Sequence, residues 1–333
     1  MIIHPGFVGI DISKFHLDVF DARGGQQRFA NAAQPVADLI ERWKDTEVFV
    51  LFEATGHYDA PLRRALANAR IPFARVNPAR ARDFARAAGF LAKTDAIDAQ
   101  MLAAMAQCLR PDPCQPADLD RERLARLHKR RDQLVAMRQQ ERTRARDCAC
   151  IDTSADIARH LAWLDREIDA VQARIDARIA ASPTLDTACR LMRSVPGVGP
   201  VTAAALLALV PELGSRSPKA IAALAGLAPF NVDSGRFRGL RRIGGGRKRV
   251  RDALYMAAVA ASRSKSRFAK FYRNLRQAGK PPKLAFIALA RKILTTINAI
   301  IRDQIAFQPP GIPGRRQWLA GRTWRGIDQR ARQ

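Results

Sequence analysis

Acidic residues nearly vanish from the last third of this chain. From Gly214 onward only Asp233, Asp252, Asp303 and Asp328 stand against 27 Lys and Arg, whereas the first 213 residues carry 30 basic and 27 acidic side chains. The formal net charge of +26 is therefore almost wholly carboxyl-terminal. Such a surface calls for a polyanion, because each Lys or Arg set against a phosphate releases condensed counterions. Nucleic acid is the expected partner. Cysteine is sparse too: the five, at 108, 114, 148, 150 and 189, include no C-x-x-C pair and leave an odd thiol in any pairing scheme, so they read as reduced and structural. There is no signal peptide, no charged amphipathic anchor and no uninterrupted apolar stretch near the roughly 20 residues a bilayer span needs. The expectation is a cytoplasmic protein without membrane contact. A nucleotide loop is missing as well. Gly244-Gly245-Gly246 lacks the G-x-x-x-x-G-K-S/T spacing and an upstream strand, which excludes ATP binding and leaves a flexible basic loop.

Apolar residues make up 47% of the 333, enough for the cores of two or three domains. Four carboxylates stand out against that background. Asp11 lies in Phe7-Val8-Gly9-Ile10-Asp11-Ile12, an apolar run that reads as a central strand with Asp11 in its middle, facing a cleft. Glu53 closes the buried-strand pattern Val48-Phe49-Val50-Leu51-Phe52. Asp95 and Asp98 open an alanine-rich stretch to Leu109 that favours helix, and three residues apart on a helix means one face. Singly, each acid reads as a solvated charge or a helix cap. Jointly they suit hard divalent cations, which prefer oxygen ligands, and a metal pair stabilises both the attacking and the leaving oxygen of an in-line phosphoryl displacement.

The order of predicted elements supports this: strands over 7–12, 17–20 and 27–30, a helix over 36–44, the strand ending at Glu53, a helix over 60–69, a strand over 73–76, then helices. That is a ribonuclease-H-like order. The stretches Gly9-Ile10-Asp11-Ile12-Ser13-Lys14, Glu53-Ala54-Thr55-Gly56-His57-Tyr58 and Lys93-Thr94-Asp95-Ala96-Ile97-Asp98-Ala99 resemble the DEDD transposases of the insertion-sequence 110 type. The amino-terminal domain of that family is similar to the Holliday-junction resolvase RuvC. The expected fold is α/β plus all-α: a RuvC-like catalytic domain over 1–113, a helical coiled-coil linker over 114–186, a mostly helical basic domain over 187–308, and a basic tail over 309–333.

The boundary near 111–116 is rich in proline, which stops helices. Beyond it Leu124, Leu127 and Leu134 mark one apolar stripe. Ile157, Leu161, Leu164, Ile168, Val171 and Ile175 mark a second, heptad-like one. The two helices, joined near 148–154, form an antiparallel hairpin, or one of them pairs with another protomer.

Ser194 to Ala203 looks like a helix-hairpin-helix element, in which Gly197 and Gly199 let phosphate approach a helix amino terminus; the bland alternative is a plain turn. Further on, Ser234-Gly235 precedes Arg236, Arg238, Arg241, Arg242, Arg247, Lys248 and Arg249. Arginine grips phosphate oxygens in bidentate fashion, so these are candidate nucleic-acid contacts. A serine hydroxyl needs a base, a metal or a positive field to act as nucleophile, and spacing alone leaves Ser-Gly as a common turn. Core helices are expected over 250–262 and around Phe286 to Leu294. The tail, with Trp318 and Trp324, is expected to order on nucleic acid or not at all.

The resemblance implies more than these residues do. In the family the serine matching Ser234 attacks DNA and forms a phosphoserine linkage. Asp11, Glu53, Asp95 and Asp98 bind two magnesium ions. A bridge RNA pairs with donor and target DNA, and a dimer or tetramer brings the serine of one protomer to the metal site of another. Two alternatives remain from the residues themselves: a metal-dependent RuvC-like nuclease using activated water, and a non-catalytic nucleic-acid-binding protein.

Overall fold

The computed structural model describes residues 3–54, 56, 58–90, 94–114, 118–230, 233–234, 237–238 and 242–308. The chain divides into two compact units, parted between Leu119 and Asp120.

In the first unit the predicted strands form as β1 (Phe7–Ile12), β2 (His16–Asp21), β3 (Gly25–Ala30), β4 (Phe49–Glu53) and β5 (Phe73–Val76). They join in one five-stranded sheet of order β3-β2-β1-β4-β5. The β1–β2 and β2–β3 pairs are antiparallel, and β4 runs parallel to β1 and β5. Because side chains alternate along a strand, each face draws on alternate residues. Val8, Ile10, Ile12, Val50 and Phe52 point one way and bury against α1 (Ala33–Trp43) and α2 (Ala60–Asn68) through Val36, Leu39, Trp43, Leu62 and Leu66. Leu51, Ala74 and Val76 point the other way, towards α3 (Pro78–Ala87) and α4 (Asp95–Leu109), meeting Ala81, Met101, Leu102 and Met105. The result is a sheet between two helical layers.

Gly9 sets the approach of α4. A Cβ at position 9 would stand 2.0 Å from the Ala99 carbonyl oxygen and 2.4 Å from the Ala103 nitrogen, so the backbone of α4 rests directly on β1. The helix starts at a Thr94 cap, whose side chain accepts from the Ile97 N–H at 3.2 Å.

The second unit is mainly helical. The two long helices are α5 (Leu119–Asp147) and α6 (Ile151–Ala180). Three polar contacts fix their direction: the ion pairs Arg178–Asp120 at 3.3 Å and Arg138–Asp165 at 2.6 Å, and His160 beside Glu141 at 3.3 Å. Residue numbers fall on one helix as they rise on the other, so α6 folds back along α5. Leu124 and Leu134 bury with Leu164, Ile168, Val171 and Ile175, while Ile157 and Leu161, nearer the bend, are only half-buried. The same core takes in α7 (Pro183–Arg193), α8 (Pro200–Leu209), α9 (Pro218–Leu224), α10 (Lys248–Ser262), α11 (Arg267–Gln277) and α12 (Pro282–Asp303). Between α9 and α10 the described residues form four two-residue strands, β6 (Pro229–Phe230), β7 (Asp233–Ser234), β8 (Phe237–Arg238) and β9 (Arg242–Ile243), in the pairs β6–β9 and β7–β8.

Three expectations need correction. Asp11 is the fifth of six residues in β1, near its end rather than in its middle. The triple-glycine segment is anchored at its far end, because a Cβ on Gly246 would stand 2.2 Å from the Gly226 nitrogen and the Arg247 N–H donates to the Leu224 carbonyl at 2.8 Å, although a Cβ on Gly244 or Gly245 would meet only open space. A loop pressed backbone to backbone at that end is not freely flexible. Among the described residues one helix, α12, reaches spanning length with a mean hydropathy of 1.7 over its most apolar window, but Arg291 and Lys292 interrupt it, as expected of a chain with no unbroken apolar run. Leu289, Ile293, Leu294, Ile297 and Ile300 bury one face of it in the core, which accounts for the apolarity without a bilayer. None of the five cysteines, all of them among the described residues, is in a disulfide; Cys189 is buried and Cys114 packs half-buried against the core of the first unit, so a structural role fits those two rather than all five.

Candidate functional site

The sheet register assembles the acidic site. Asp11 lies opposite Asp18 on β2, and Asp18 lies opposite Arg28 on β3, so the three form a row across one face of the sheet. On the other side of β1, Ile10 pairs with Phe52, which carries Glu53 alongside Asp11 at the end of β4. This face is the one α4 covers, and α4 contributes Asp95 and Asp98 from its first turn. Carboxylates there also interact favourably with the exposed N–H groups of a helix start.

The charge state of Asp11 shows how closely these groups gather. Its pKa is raised to about 6, first by burial and then by the charges of Asp98, Asp95 and Glu53. Each of the other three predicted acids thus acts on the first. Four acids from three separated segments gather near the carboxyl ends of the interior strands β1 and β4, close enough for the other three to act on Asp11, and their mutual repulsion calls for a cation. All available donors are hard carboxylate oxygens, the type that magnesium and similar divalent ions prefer. Among the described residues no group of three or more His, Cys, Asp or Glu side chains is drawn tightly enough to clasp an ion as it stands.

Sequence reasoning missed two residues of this site. Arg28 makes a fork to Asp18, from Nε to Oδ1 at 2.8 Å and from Nη2 to Oδ2 at 3.1 Å, and its Nη2 also donates to Asp95 Oδ2 at 2.9 Å. Asp18 is buried, with only 5% of its surface exposed. An acid between Leu17 and Val19 in an apolar strand was the available signal, since buried carboxylates occur where they are paired. A second support stands behind Glu53: the fully buried Asp59 pairs with Arg63 at 3.1 Å and with Arg75 of β5, tying down the chain just past the strand end.

In the second unit Ser234 is the last residue of β7 and pairs with Phe237 of β8. The side chains of Ser234 and Arg238, and the whole of Gly235, Arg236 and Arg241, lie outside the described residues. Arg242 on β9 is exposed. Arg247 is committed within the protein, forking to both oxygens of Glu212 at 2.6 Å and donating to the Leu209 carbonyl at 2.9 Å. Burial works against the Glu212 carboxylate, but the hydrogen bonds and charge of Arg247 outweigh it and hold its pKa below the usual range. Lys248 pairs with Asp252 at 2.6 Å on the surface, and Arg249 reaches Asp132 at 3.5 Å. Gly197, with φ of +89°, is pressed against α10, where a Cβ would meet the Ala257 carbonyl oxygen at 2.3 Å. Gly199 instead has open space around it at the start of α8.

Comparison with known proteins gives these observations a common setting. Residues 8–149 match a family model described as a transposase, of the DEDD IS110 type, and residues 189–273 match one described as the transposase IS116/IS110/IS902 family. Pilin gene-inverting proteins of Moraxella bovis and Moraxella lacunata are each 31% identical over 315 residues, covering 90% of this chain and 97% of theirs. An uncharacterised 42 kDa protein of insertion element IS900 from Mycobacterium paratuberculosis is 31% identical over 158 residues, 46% of this chain and 39% of its own. The two matched segments hold the acidic quartet and Ser234 respectively, and the Moraxella proteins align along nearly the full chain: it belongs to the IS110 family of DEDD transposases and is a DNA transposase and recombinase.

Proposed function

We propose that the chain mobilises an insertion sequence by cutting and rejoining donor and target DNA, with Asp11, Glu53, Asp95 and Asp98 as the metal-binding group and Ser234 as the nucleophile. The carrying observation is the convergence of the four acids, expressed in the raised pKa of Asp11. The sheet order β3-β2-β1-β4-β5, with acids at the ends of β1 and β4, supports a RuvC-like reading of the first unit. Two magnesium ions held by the quartet would supply polarisation of the phosphate and of the attacking and leaving oxygens.

The work of the chain's own residues is transesterification. The Ser234 Oγ–phosphorus bond forms as one phosphodiester P–O bond breaks, and the serine proton ends on the departing sugar oxygen. One ester is exchanged for another and no water enters, so a second DNA hydroxyl can reverse the step and rejoin the strand without an external energy source. Arg236, Arg238, Arg241 and Arg242 hold the phosphate, and the open start of α8 at Gly199 offers the backbone N–H groups of Gly199, Val201 and Thr202 to a second one, as a helix-hairpin-helix does. Arg247 is left out of this set because Glu212 already occupies it.

The resemblance extends the proposal to a bridge RNA that pairs with both DNA partners, and to a dimer or tetramer in which Ser234 of one protomer serves the quartet of another. Self-association is assigned to the α5–α6 coiled coil, where Ile151 is 85% exposed near the bend. Denaturing electrophoresis of the cleavage reaction tests the nucleophile. Wild-type protein is expected to carry covalently attached DNA, and Ser234→Ala to bind DNA normally yet form no adduct. An adduct on the alanine variant, or free 5′-phosphate ends in place of an adduct on wild type, would overturn the serine role.

A further inference from the structure

We infer that Arg28, anchored by the buried Asp18, is the positioning residue that holds Asp95 in place to take a divalent cation; the inference rests on the quartet being the metal-binding group. Asp95 needs such help more than Asp11 does. Its side chain is 61% exposed at the first position of α4, where nothing in the core restricts its rotamer. A donor fixed in space would select one rotamer and keep the carboxylate turned into the site.

Arg28 has the geometry of a fixed donor. Its fork to both oxygens of Asp18 defines the plane of the guanidinium, and Asp18 itself cannot move, being buried in the centre of β2 between Leu17 and Val19. From that plane the same Nη2 reaches Asp95 Oδ2 at 2.9 Å. Only one oxygen of Asp95 is engaged by Arg28, which leaves the other for a cation. Metal-binding carboxylates are characteristically oriented by such outer hydrogen bonds.

Charge balance explains the presence of Asp18. A lone guanidinium beside a cation site would repel the ion it helps to bind. Paired with Asp18 in a fork, Arg28 contributes direction without net charge. The cross-strand row Asp11, Asp18, Arg28 thus combines a candidate metal ligand, a buried counter-charge and an orienting donor on three adjacent strands.

The test is Mn2+ binding by the full chain without DNA, read from the electron paramagnetic resonance signal of the free ion. Arg28→Gln is expected to weaken binding about tenfold, the lower end of what outer-shell losses cost. Asp18→Asn is expected to weaken it at least as much, since it leaves the Arg28 charge uncompensated beside the site. Arg28→Lys should not restore binding, because an ammonium cannot fork to Asp18 and reach Asp95 together. Circular dichroism checks the fold of each variant; should Asp18→Asn unfold, the exposed Arg28 substitutions still decide. Wild-type affinity in Arg28→Gln would overturn the inference, and tighter binding would show Arg28 to be a competitor of the ion instead. Failure of the wild-type protein itself to bind Mn2+ would overturn the reading of the quartet, and this inference with it.

Discussion

Asp11 holds a proton at a pH where an ordinary aspartate has lost it. Its carboxyl titrates near 3.8 in the open chain and at about 6 in the fold, so the folded state binds the proton more tightly. Stability linked to this group is therefore complete below about pH 4 and is lost as the pH rises through about 6. Asp11→Asn removes the penalty. Because the carboxyl is partly exposed and screened, the gain at pH 7 is on the order of 1 kcal/mol, a Tm rise of about 4 °C in the presence of chelator. Scanning calorimetry at pH 4 and pH 7 checks it: the variant and the wild type should coincide at the lower pH and separate at the higher. A variant less stable than wild type at pH 7 would contradict the electrostatic account. Legibility at this scale was uneven. The four acids stood out because each lies within or at the end of an element whose pattern is strong. Asp18 and Arg28 did not, because their significance lies in the pairing of β1 with β2 and β3, and no local pattern encodes which residue lies opposite which.

The α5–α6 hairpin shows what periodicity encodes and what it leaves out. The series from Ile157 to Ile175 announced an apolar face but not its partner, and three polar side-chain pairs with α5 decide that. Those pairs set direction more than stability. Ile168→Ala, which empties a buried site, is expected to cost about 3 kcal/mol in urea denaturation, whereas Arg138→Ala should cost less than about 1 kcal/mol. Equal losses would mean the hairpin is held by charge rather than by its apolar seam. The triple glycine misled for a related reason. Glycine serves both loose loops and the tightest backbone contacts, and only the presence of Gly226 against Gly246 distinguishes them. Arg291 and Lys292 interrupt α12 mid-helix, so its apolar length is not an unbroken run in the sequence.

At the scale of the whole molecule the surplus of positive charge must be divided between arginines that hold the protein together and those left for phosphate. Composition cannot make that division, since Arg242 and Arg247 look alike in sequence. In the fold Arg242 is exposed and Arg247 is clamped to Glu212. The logarithm of DNA affinity falls linearly with the logarithm of salt, by about 0.9 for each phosphate contact on duplex DNA. Arg242→Ala should lower that slope by about one contact and leave stability unchanged. Arg247→Ala should leave the slope alone and cost about 2 kcal/mol, because it strands a half-buried carboxylate. Fluorescence anisotropy titrations at several salt concentrations, with a denaturation curve for each variant, separate the two. The reverse pattern would assign Arg247 to DNA.

The seat of α4 on Gly9 sets the working dimensions of the acidic site. Where two elements meet through side chains, their spacing drifts as the side chains are exchanged. Here a peptide of the helix touches a peptide of the strand, so the gap between Asp11 and the helix acids is calibrated by van der Waals radii. Substitutions elsewhere in the surrounding core would make this protein stronger or weaker while leaving that gap unchanged; a methyl group at position 9 would alter it at once.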